Sequence, residues 1–300
     1  DNGILDHYLE YGTFTNPGCY REFIKQLPDS VSELGSLICH QVIHRSILKN
    51  GNIKANRDLR YGDMNDFPWH RLRCEDDILT TAVSMIAELL RLDPNGFTAN
   101  RKVENKIVVT CRYVSILIAS ILKTKGIPCR VRSGFATYFS EKCTDHWINQ
   151  YWNSSEQRWI AIDADFFADG SEGFDQFDIP EEKFHWAADV WLGIRNGTLN
   201  PDKYYNAGGF FGLMPTLWEL FYDFHSLMNN EILYMQEPYY IQNKFEQLTE
   251  EEYAEIDKLA ELLQNPDKNY YQLLTLWDTE KKFRILNGPL IGDKDHVLWK

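Results

Sequence analysis

The amino-acid sequence predicts an α+β fold, in which a central helix packs on an antiparallel sheet between two helical extensions. Residues 111–125 are apolar on nearly every face, which is typical of a buried helix. Strand-like segments follow at 129–138, 146–152 and 158–164, where β-branched and aromatic residues are frequent. We therefore expect a helical N-terminal part, a core and a mostly helical C-terminal extension, over residues 1–100, 101–180 and 181–300.

The predicted central helix has a clear stop signal. Lys123 and Lys125 lie in its last turn, where positive side chains interact favourably with the carbonyl end of the helix. Gly126 follows as a residue that readily adopts the left-handed conformation, and Pro128 prevents the helix from continuing. The next turn signal, at 153–156, separates the second and third strand segments and predicts that they pair as a hairpin.

A capping signal places a helix near the N-terminus. Ser30 and Glu33 form a capping-box pattern at its start. The apolar residues that follow at helical spacing are Leu34, Leu37, Ile38, Val42, Ile43 and Ile47.

Similar signals place elements elsewhere. Asp76 or Asp77 is the expected cap of a second helix. Thr249, with a glutamate three residues later, opens a helix through Leu263. The final stretch, 283–299, is expected to hold one or two short strands.

Composition and charge exclude several classes of function. The 300-residue chain is 44% hydrophobic, but its net charge is −13. An acidic surface repels phosphate backbones, so we expect no nucleic-acid partner. No apolar run reaches the roughly 18 residues that cross a bilayer, so we expect no membrane partner either. The six cysteines form no CxxC pair, which favours reduced thiols and a cytoplasmic location.

Cys111, His146 and Asp163 together meet the requirements of a cysteine nucleophile. A thiol attacks as its thiolate, and Cys111 opens the central helix, whose positive end stabilises an anion. Arg112 adds a nearby positive charge unless it points to solvent. His146 begins the second strand as the candidate base. A hairpin turn at 153–156 would bring Asp163 roughly opposite His146, close enough to fix the imidazole tautomer.

Three segments carry a resemblance to a known family. They are VTCRYVSILIASILKTKGIPCRVRSGFATYF, DHWINQYW and RWIAIDAD. They resemble the signature blocks of the transglutaminase-like superfamily, in which a cysteine opens a helix that ends in a Gly-Ile-Pro-x-Arg turn. The resemblance implies a papain-like fold and places Cys111, His146 and Asp163 on the triad positions. Further segments, among them WLGIRNGTLNPDKY, resemble a bacterial group of transglutaminase-domain proteins with no assigned reaction.

The resemblance also indicates where an oxyanion and a substrate would bind. The backbone N–H of Cys111 is a candidate oxyanion donor, and the side chain of Trp69 is named as a candidate for the second. Many family members carry a glycine two residues before the nucleophile, where this chain has Val109. Candidates for the substrate cleft are Trp147, Phe135 and Tyr138, with core packing as the alternative for Trp147.

Two nearby carboxylates have competing interpretations. Asp165 shares a strand face with Asp163 and competes with it for the orienting role. The family position and the hairpin register favour Asp163. Asp145 precedes His146 and is interpreted as a solvated turn residue.

No metal site and no cofactor are expected. His40 and His44 stand four positions apart, but the residues between them lack the glutamate of an HExxH motif. Cys143 lies three residues before His146, and no further ligands at tetrahedral spacing accompany the pair. The acidic residues of the following loop do not fit an EF-hand; they are Asp165, Asp169, Glu172, Asp175 and Asp178.

The triad pattern and the resemblance favour an acyl-transfer enzyme that acts on a peptide or another amide, with a protein as one such substrate. Hydrolysis is favoured over transfer to an amine, although both share the first half-reaction. Two alternatives stay open. One is a catalytically silent binding or scaffold protein, and the other is an acyl-carrier enzyme that resembles arylamine acetyltransferases.

Overall fold

Helices and strands are interspersed along the chain in the computed structural model, which describes residues 2–48, 67, 75–166, 170–234, 236–242 and 247–285. The α-helices of these residues are α1 (Asn2–His7), α2 (Arg21–Lys25), α3 (Val31–Cys39), α4 (Glu75–Ile78), α5 (Ala82–Leu92), α6 (Cys111–Thr124), α7 (Ala187–Arg195), α8 (Leu213–Leu227), α9 (Tyr239–Gln242), α10 (Glu250–Leu263) and α11 (Tyr270–Thr279). The strands are β1 (Val42–His44), β2 (Ile107–Val109), β3 (Cys129–Ala136), β4 (Cys143–Asn153), β5 (Arg158–Ile162), β6 (Phe184–Trp186) and β7 (Tyr204–Tyr205).

The strands form one mainly antiparallel sheet and one separate pair. β1 and β2 pair in parallel. The larger sheet has five strands in the order β5-β4-β3-β6, and β7 pairs with β4 outside this path. The β4–β5 and β3–β6 pairs are antiparallel, whereas the β4–β7 pair is parallel. The predicted α+β class is thereby confirmed.

The chain divides into two compact units. The first unit comprises residues 1–131 and 147–180, and the second unit comprises residues 132–146 and 181–300. Strands β3 and β4 contribute residues to both units. The three-part division expected from the sequence stays a prediction.

Helix α6 of the first unit confirms the predicted buried helix. Every residue from Cys111 to Lys123 is buried, and α2, α3 and α5 all pack against this helix. Its C-terminus is a Schellman motif, in which the Gly126 N–H donates to the Lys123 carbonyl and the Ile127 N–H donates to the Leu122 carbonyl. Gly126 has a φ of +78°, the left-handed conformation expected there.

Polar side chains connect α6 and the adjoining strands within the first unit. The Asn149 side chain on β4 donates to the Ser115 carbonyl of α6 at 2.8 Å. Arg130, the arginine of the Gly-Ile-Pro-x-Arg block, lies 4.0 Å from the ring centre of Trp159 and donates to Gln150 at 2.9 Å. The block arginine therefore packs β3 against β4 and β5.

The predicted helix that starts after Ser30 is wrong in its second half. The Ser30 hydroxyl caps α3 as expected, but the helix ends at Cys39 and the chain then forms β1. The β-branched residues Val42 and Ile43 are buried in this strand. Pairing with β2, which lies far along the chain, overrides the helical spacing of the apolar residues.

The second predicted helix has a different cap from the one expected. Asp76 and Asp77 lie in α4 instead of capping the longer helix α5. The cap of α5 is Thr81, which exchanges hydrogen bonds with Ser84 in a capping box. A threonine with a serine three residues later is a weaker capping-box signal than a threonine with a glutamate three residues later. The sequence therefore favoured Asp76 or Asp77 as the cap.

The second unit is held together by partly and fully buried ion pairs between its helices and strands. Arg132 on β3 donates to Asp223 on α8 at 2.8 Å, and both side chains are almost fully buried. On α7, the Trp191 indole and the Arg195 guanidinium both donate to Asp257 on α10. The tryptophan and arginine of the WLGIRNGTLNPDKY segment are therefore helix-packing residues.

The C-terminal part of the second unit confirms the predicted helix after Thr249. It includes only the first residues of the predicted C-terminal strands. The Thr249 hydroxyl and the glutamate three residues later form the expected capping box, and α10 ends at Leu263. Of the stretch 283–299, only residues 283–285 are described, and residues 281–283 form a 3-10 turn. The rest of the predicted strands lies outside the described residues. None of the helices in the described part of the chain is long and apolar enough to span a bilayer.

His225 on α8 predicts a pH-dependent stability. Its ring is fully buried, with Nδ1 donating to the Phe221 carbonyl at 2.7 Å and Nε2 accepting the Ile285 N–H at 3.0 Å. Burial lowers the pKa of His225 from 6.5 to about 4. Between these values the unfolded chain binds a proton that the folded chain does not. The free energy of unfolding should therefore fall by about 3 kcal/mol as the pH drops through this window.

Denaturant titrations at a series of pH values measure this effect. His225→Gln is the matched variant, because its amide does not titrate. The excess stability of the wild type over this variant should shrink as the pH falls from 6.5 towards 4. An excess that stays constant across the window would contradict the lowered pKa.

Candidate active site

Cys111 stands at the first position of α6 and is buried, with 8% of its surface exposed. Thr110 occupies the N-cap position, but its side chain makes no capping hydrogen bond to the first turn. The positive end of the helix dipole therefore acts on Cys111 without competition from a Thr110 cap.

Arg112 does not face solvent. Its side chain is fully buried. The guanidinium lies over the rings of Phe14 and Tyr113, at 4.7 and 4.9 Å from their centres, and it donates to the Thr80 carbonyl at 3.3 Å. Arg112 thus packs the start of α6 against the rest of the first unit.

Asp163 follows β5 directly and is 1% exposed. Its Oδ1 accepts the Asp165 N–H at 2.9 Å. Gln176 holds its backbone from both sides, because the Asp163 N–H donates to the Gln176 carbonyl and the Gln176 amide donates to the Asp163 carbonyl. A buried carboxylate on a backbone held in this way keeps one direction, as the orienting member of a triad must.

Asp165 has a partner of its own within the first unit. Its Oδ2 lies 3.3 Å from Nε2 of His44, and the side chains are 6% and 23% exposed. Nδ1 of His44 accepts the Ser46 N–H at 3.1 Å and bonds the Ser46 hydroxyl at 2.7 Å. The carboxylate that competes with Asp163 for the orienting role is therefore engaged with His44.

Sequence reasoning missed this histidine as a partner of the acidic segment. The expectation of one long helix assigned His44 to a helix face, whereas the structure places it at the end of β1. The signal that points to the strand is the β-branched run Val42-Ile43, which matches the run at 107–109 with which it pairs.

His146 lies on β4 and is 4% exposed. Within the second unit its ring is bordered by aromatic side chains. Phe139 meets it edge to face, with ring centres 4.8 Å apart, and Tyr138 and Phe184 lie at 6.4 and 6.5 Å. Packing on several sides restricts the orientation of the imidazole ring. Phe139 itself is 43% exposed.

The structure corrects the interpretation of Asp145 as a solvated turn residue. Asp145 lies on β4, is partly buried, and accepts the Ala207 N–H at 3.2 Å. Burial raises the pKa of Asp145 to about 6, although the neighbouring His146 and the Ala207 N–H both act to lower it. A carboxyl group next to the candidate base is therefore held in an environment that disfavours its charge.

The β4–β5 hairpin is confirmed, but its register differs from the predicted one by two residues. The ladder ends with Asn149 opposite Ile162, and the turn begins one residue later than predicted. If the ladder is extended by one pair beyond Asn149 and Ile162, Asp163 lies opposite Ile148 and not opposite His146. A two-residue shift keeps every side chain on its predicted face, because side chains alternate with a period of two.

The three predicted cleft residues differ in exposure. Trp147 is 1% exposed, which fits its alternative interpretation as a core residue. Phe135 is fully buried in the second unit, in a cluster with Val190 and Tyr204. Tyr138 keeps part of its surface exposed. Their assignment to a substrate cleft stays a prediction.

No group of three or more His, Cys, Asp or Glu side chains that could hold a metal ion occurs among the described residues. His40 does not share a helix face with His44, because α3 ends before both, and its Nδ1 bonds the Ser36 carbonyl at 2.6 Å. Trp69 and Asp169, both named by the sequence analysis, lie outside the described residues. The five described cysteines form no disulfide.

Asp145→Asn should stabilise the protein at neutral pH. The folded carboxyl holds its proton up to about pH 6, whereas the unfolded carboxyl loses it near 3.8, so stability falls as the pH rises through this window. Asparagine still accepts the Ala207 N–H and has no charge to bury. Denaturant titration should show a gain of about 1–2 kcal/mol near pH 7.5 and roughly none near pH 4. A loss of stability at both pH values would contradict the raised pKa.

Comparison with known proteins gives the site its context. Residues 93–164 match the model of the transglutaminase-like superfamily, a segment that includes Cys111, His146 and Asp163. The comparison with curated proteins gave no match. A solved structure named as a putative cysteine protease from Cytophaga hutchinsonii is similar, with 15% identity and a TM-score of 0.35. The match covers 63% of this chain and 50% of that chain, so the present chain spans about half the length of that protein. Residues 93–164 thus resemble the transglutaminase-like superfamily, the same family that the three sequence blocks resemble.

Proposed function

We propose that the protein is a cysteine-dependent acyl-transfer enzyme that acts on amide bonds. Cys111 is the nucleophile, His146 the base, and Asp163 the residue that orients His146. The observation that carries the proposal is that the transglutaminase-like core spans all three residues and that Cys111 opens its buried helix. The family pattern supplies the pairing of the three residues, and the surroundings of each one suit its role.

The first half-reaction forms a thioester. His146 takes the thiol proton, and Sγ of Cys111 attacks the carbonyl carbon, so that a C–S bond forms. The tetrahedral oxyanion then collapses, the C–N bond breaks, and His146 returns the proton to the leaving amine. In the second half-reaction, water attacks the thioester with His146 as base. The C–S bond breaks, the carboxylic acid leaves and the thiol reforms.

Hydrolysis is the outcome that we favour, which makes the protein a peptidase or amidase. An amine that replaced water in the second half-reaction would give a new amide, as in a transglutaminase. The substrate class is a peptide or another amide, including amides of a protein. The net charge of −13 disfavours nucleic acid and anionic membrane surfaces as partners. The small use of cysteine favours the cytoplasm.

Asp163 suits the orienting role better than Asp165. The carboxylate of Asp165 is paired with His44 at 3.3 Å. The Asp163 carboxylate is buried, and its Oδ1 accepts the Asp165 N–H at 2.9 Å. A carboxylate has about four acceptor sites, so this bond is compatible with an imidazole N–H as a further donor. An aspartate in that position selects the tautomer whose other nitrogen can take the thiol proton.

The backbone N–H of Cys111 is the proposed oxyanion donor. The family glycine two residues earlier is replaced by Val109, which lies at the end of β2 opposite His44 and is buried. Val109 is not among the residues with positive φ, so the strand here does not need a glycine. The backbone that leads into Cys111 is therefore regular strand up to the residue before the helix cap.

The alkylation rate of Cys111 by iodoacetamide tests the proposal. Near pH 6.5, roughly two units below the pKa of an ordinary thiol, Cys111 should react at least about tenfold faster than Cys19. Cys19 is exposed, whereas Cys111 is buried, so exposure alone predicts the opposite order. Peptide mass spectrometry after partial labelling gives both rates in one sample. His146→Ala and Asp163→Asn should each bring the rate of Cys111 down towards that of Cys19.

Cys143 provides the internal control for local unfolding. It is buried, and burial raises the pKa of its thiol, so it should stay unlabelled while Cys111 reacts. If Cys111 labels no faster than Cys19 in the folded protein, the enzyme proposal is wrong and a catalytically silent protein is the better description.

Turnover measurements distinguish water from an amine as the acyl acceptor, and an amide from a thioester as the substrate. Peptide amides should be cleaved in water with release of the free acid, and an added primary amine should divert only a minor share of the product. Rapid turnover of an acetyl thioester, with no cleavage of peptide amides, would instead support the arylamine acetyltransferase-like alternative. Cys111→Ala should abolish every one of these activities.

A further inference from the structure

His44 contacts neighbouring groups through both ring nitrogens within the first unit. Nδ1 accepts the Ser46 N–H at 3.1 Å, and Nε2 faces Asp165 Oδ2 at 3.3 Å. A backbone N–H can only donate, so Nδ1 is the accepting nitrogen and the ring proton lies on Nε2. The protonated Nε2 of His44 therefore faces the carboxylate of Asp165 in an electrostatically favourable contact at 3.3 Å.

The contact between His44 and Asp165 continues to Asp163. The backbone N–H of Asp165 donates to Asp163 Oδ1 at 2.9 Å, so one oxygen of the Asp163 carboxylate is held by the backbone of residue 165. That backbone is in turn held by the side chain of Asp165 on His44. Gln176 supports the same segment by donating to the carbonyls of Asp163 and Phe166, at 2.7 and 2.6 Å.

The backbone of His44 leads in the other direction, to Cys111. His44 is the ladder partner of Val109, the last residue of β2, and Cys111 follows two residues later. The backbone of His44 thus pairs with the strand that leads to the proposed nucleophile, Cys111. The side chain of His44 contacts the segment that carries the proposed orienting carboxylate, Asp163.

We propose that His44 is a positioning residue of the acyl-transfer site, which holds the Asp163 segment in place relative to strand β2. The inference rests on the proposed function, because it takes Cys111 and Asp163 in their proposed roles. His44 lies outside the matched family segment, which begins at residue 93, so the family pattern assigns it no role. By this assignment His44 acts through Asp165 and touches no reacting atom.

A purely structural ion pair makes a different prediction from a positioning residue. Loss of a structural pair lowers the melting temperature and leaves the chemistry of the folded protein unchanged. Loss of a positioning residue frees the Asp163 carboxylate, weakens its hold on His146 and lowers the thiolate fraction of Cys111. The pH profile of Cys111 alkylation in the folded protein distinguishes the two.

The experiment compares His44→Ala, Asp165→Ala and the double variant with His40→Ala as the matched control. His40 lies four residues earlier and bonds a backbone carbonyl of its own segment. Near pH 6.5, both single variants should label at Cys111 about three- to tenfold more slowly than wild type, and the double variant should lose no more. His40→Ala should label at the wild-type rate. Near pH 9, where an ordinary thiol is about half ionised or more, the differences should largely disappear.

Rescue by a conservative variant adds a second readout. His44→Gln keeps an N–H donor for Asp165 and should recover most of the wild-type rate near pH 6.5. Should His44→Ala fail to fold, Asp165→Ala carries the same test, because it removes the carboxylate that contacts His44 while it keeps the backbone N–H that donates to Asp163. Asp165→Ala should label more slowly than wild type, and equal rates would overturn the positioning role.

The outcomes separate this inference from the proposed function. If wild-type Cys111 labels fast and His44→Ala labels equally fast, the positioning role is wrong and the acyl-transfer proposal stands. Additive losses in the double variant would also overturn it, because His44 and Asp165 would then act independently. If wild-type Cys111 labels no faster than Cys19, the proposed function itself is wrong, and the inference is lost with it.

Discussion

The burial of helix α6 is the constraint on which the rest of the first unit depends. A helix that is apolar on nearly every face is stable only when it is enclosed, and α2, α3 and α5 pack on it while Asn149 connects it to β4. Its first residue is then also in the interior, and that residue is Cys111. A thiol at the start of a rigid, buried helix is held more firmly than a thiol on a loop, which is what a nucleophile needs.

The polar groups near the candidate residues are held in place by specific bonds, and some of them reduce stability. Asp145 is a carboxyl group whose pKa is raised to about 6 by burial, next to the candidate base. Asp163 is almost fully buried, and its backbone is fixed by Gln176. Of the two, Asp145 is the carboxyl group whose charged form is disfavoured by its surroundings.

The elements that the sequence predicted well are those with local signals. The buried helix, its Gly126 stop and the β4–β5 hairpin all depend on residues close together in the chain. The elements that it predicted poorly depend on distant partners. Strand β1 exists because it pairs with β2, and Arg112 is buried because Phe14 and Thr80 lie beside it. The β-branched run Val42-Ile43 is a local signal for strand β1, but it does not identify β2 as the partner, and no local pattern around Arg112 reveals Phe14 or Thr80.

The register of the β4–β5 hairpin was also not fully predictable from the sequence. The turn signal lay close to the actual turn, but the turn begins one residue later and includes Gln157 with a φ of 53°. Because left-handed glutamine is rare, turn chemistry did not point to that residue. The triad positions, in contrast, came from the three family blocks, and the match over residues 93–164 covers all of them.

The central claim is that Cys111 forms an acyl-enzyme, and the most direct measurement is to trap that species. The protein is incubated with p-nitrophenyl acetate, quenched in acid and digested, and the acetylated peptides are identified by mass spectrometry. A thioester on Cys111 should build up within a single turnover, decay in water and be absent from His146→Ala. Acetyl groups found only on lysines or on other cysteines, or an equal yield on Cys111 in His146→Ala, would contradict the central claim.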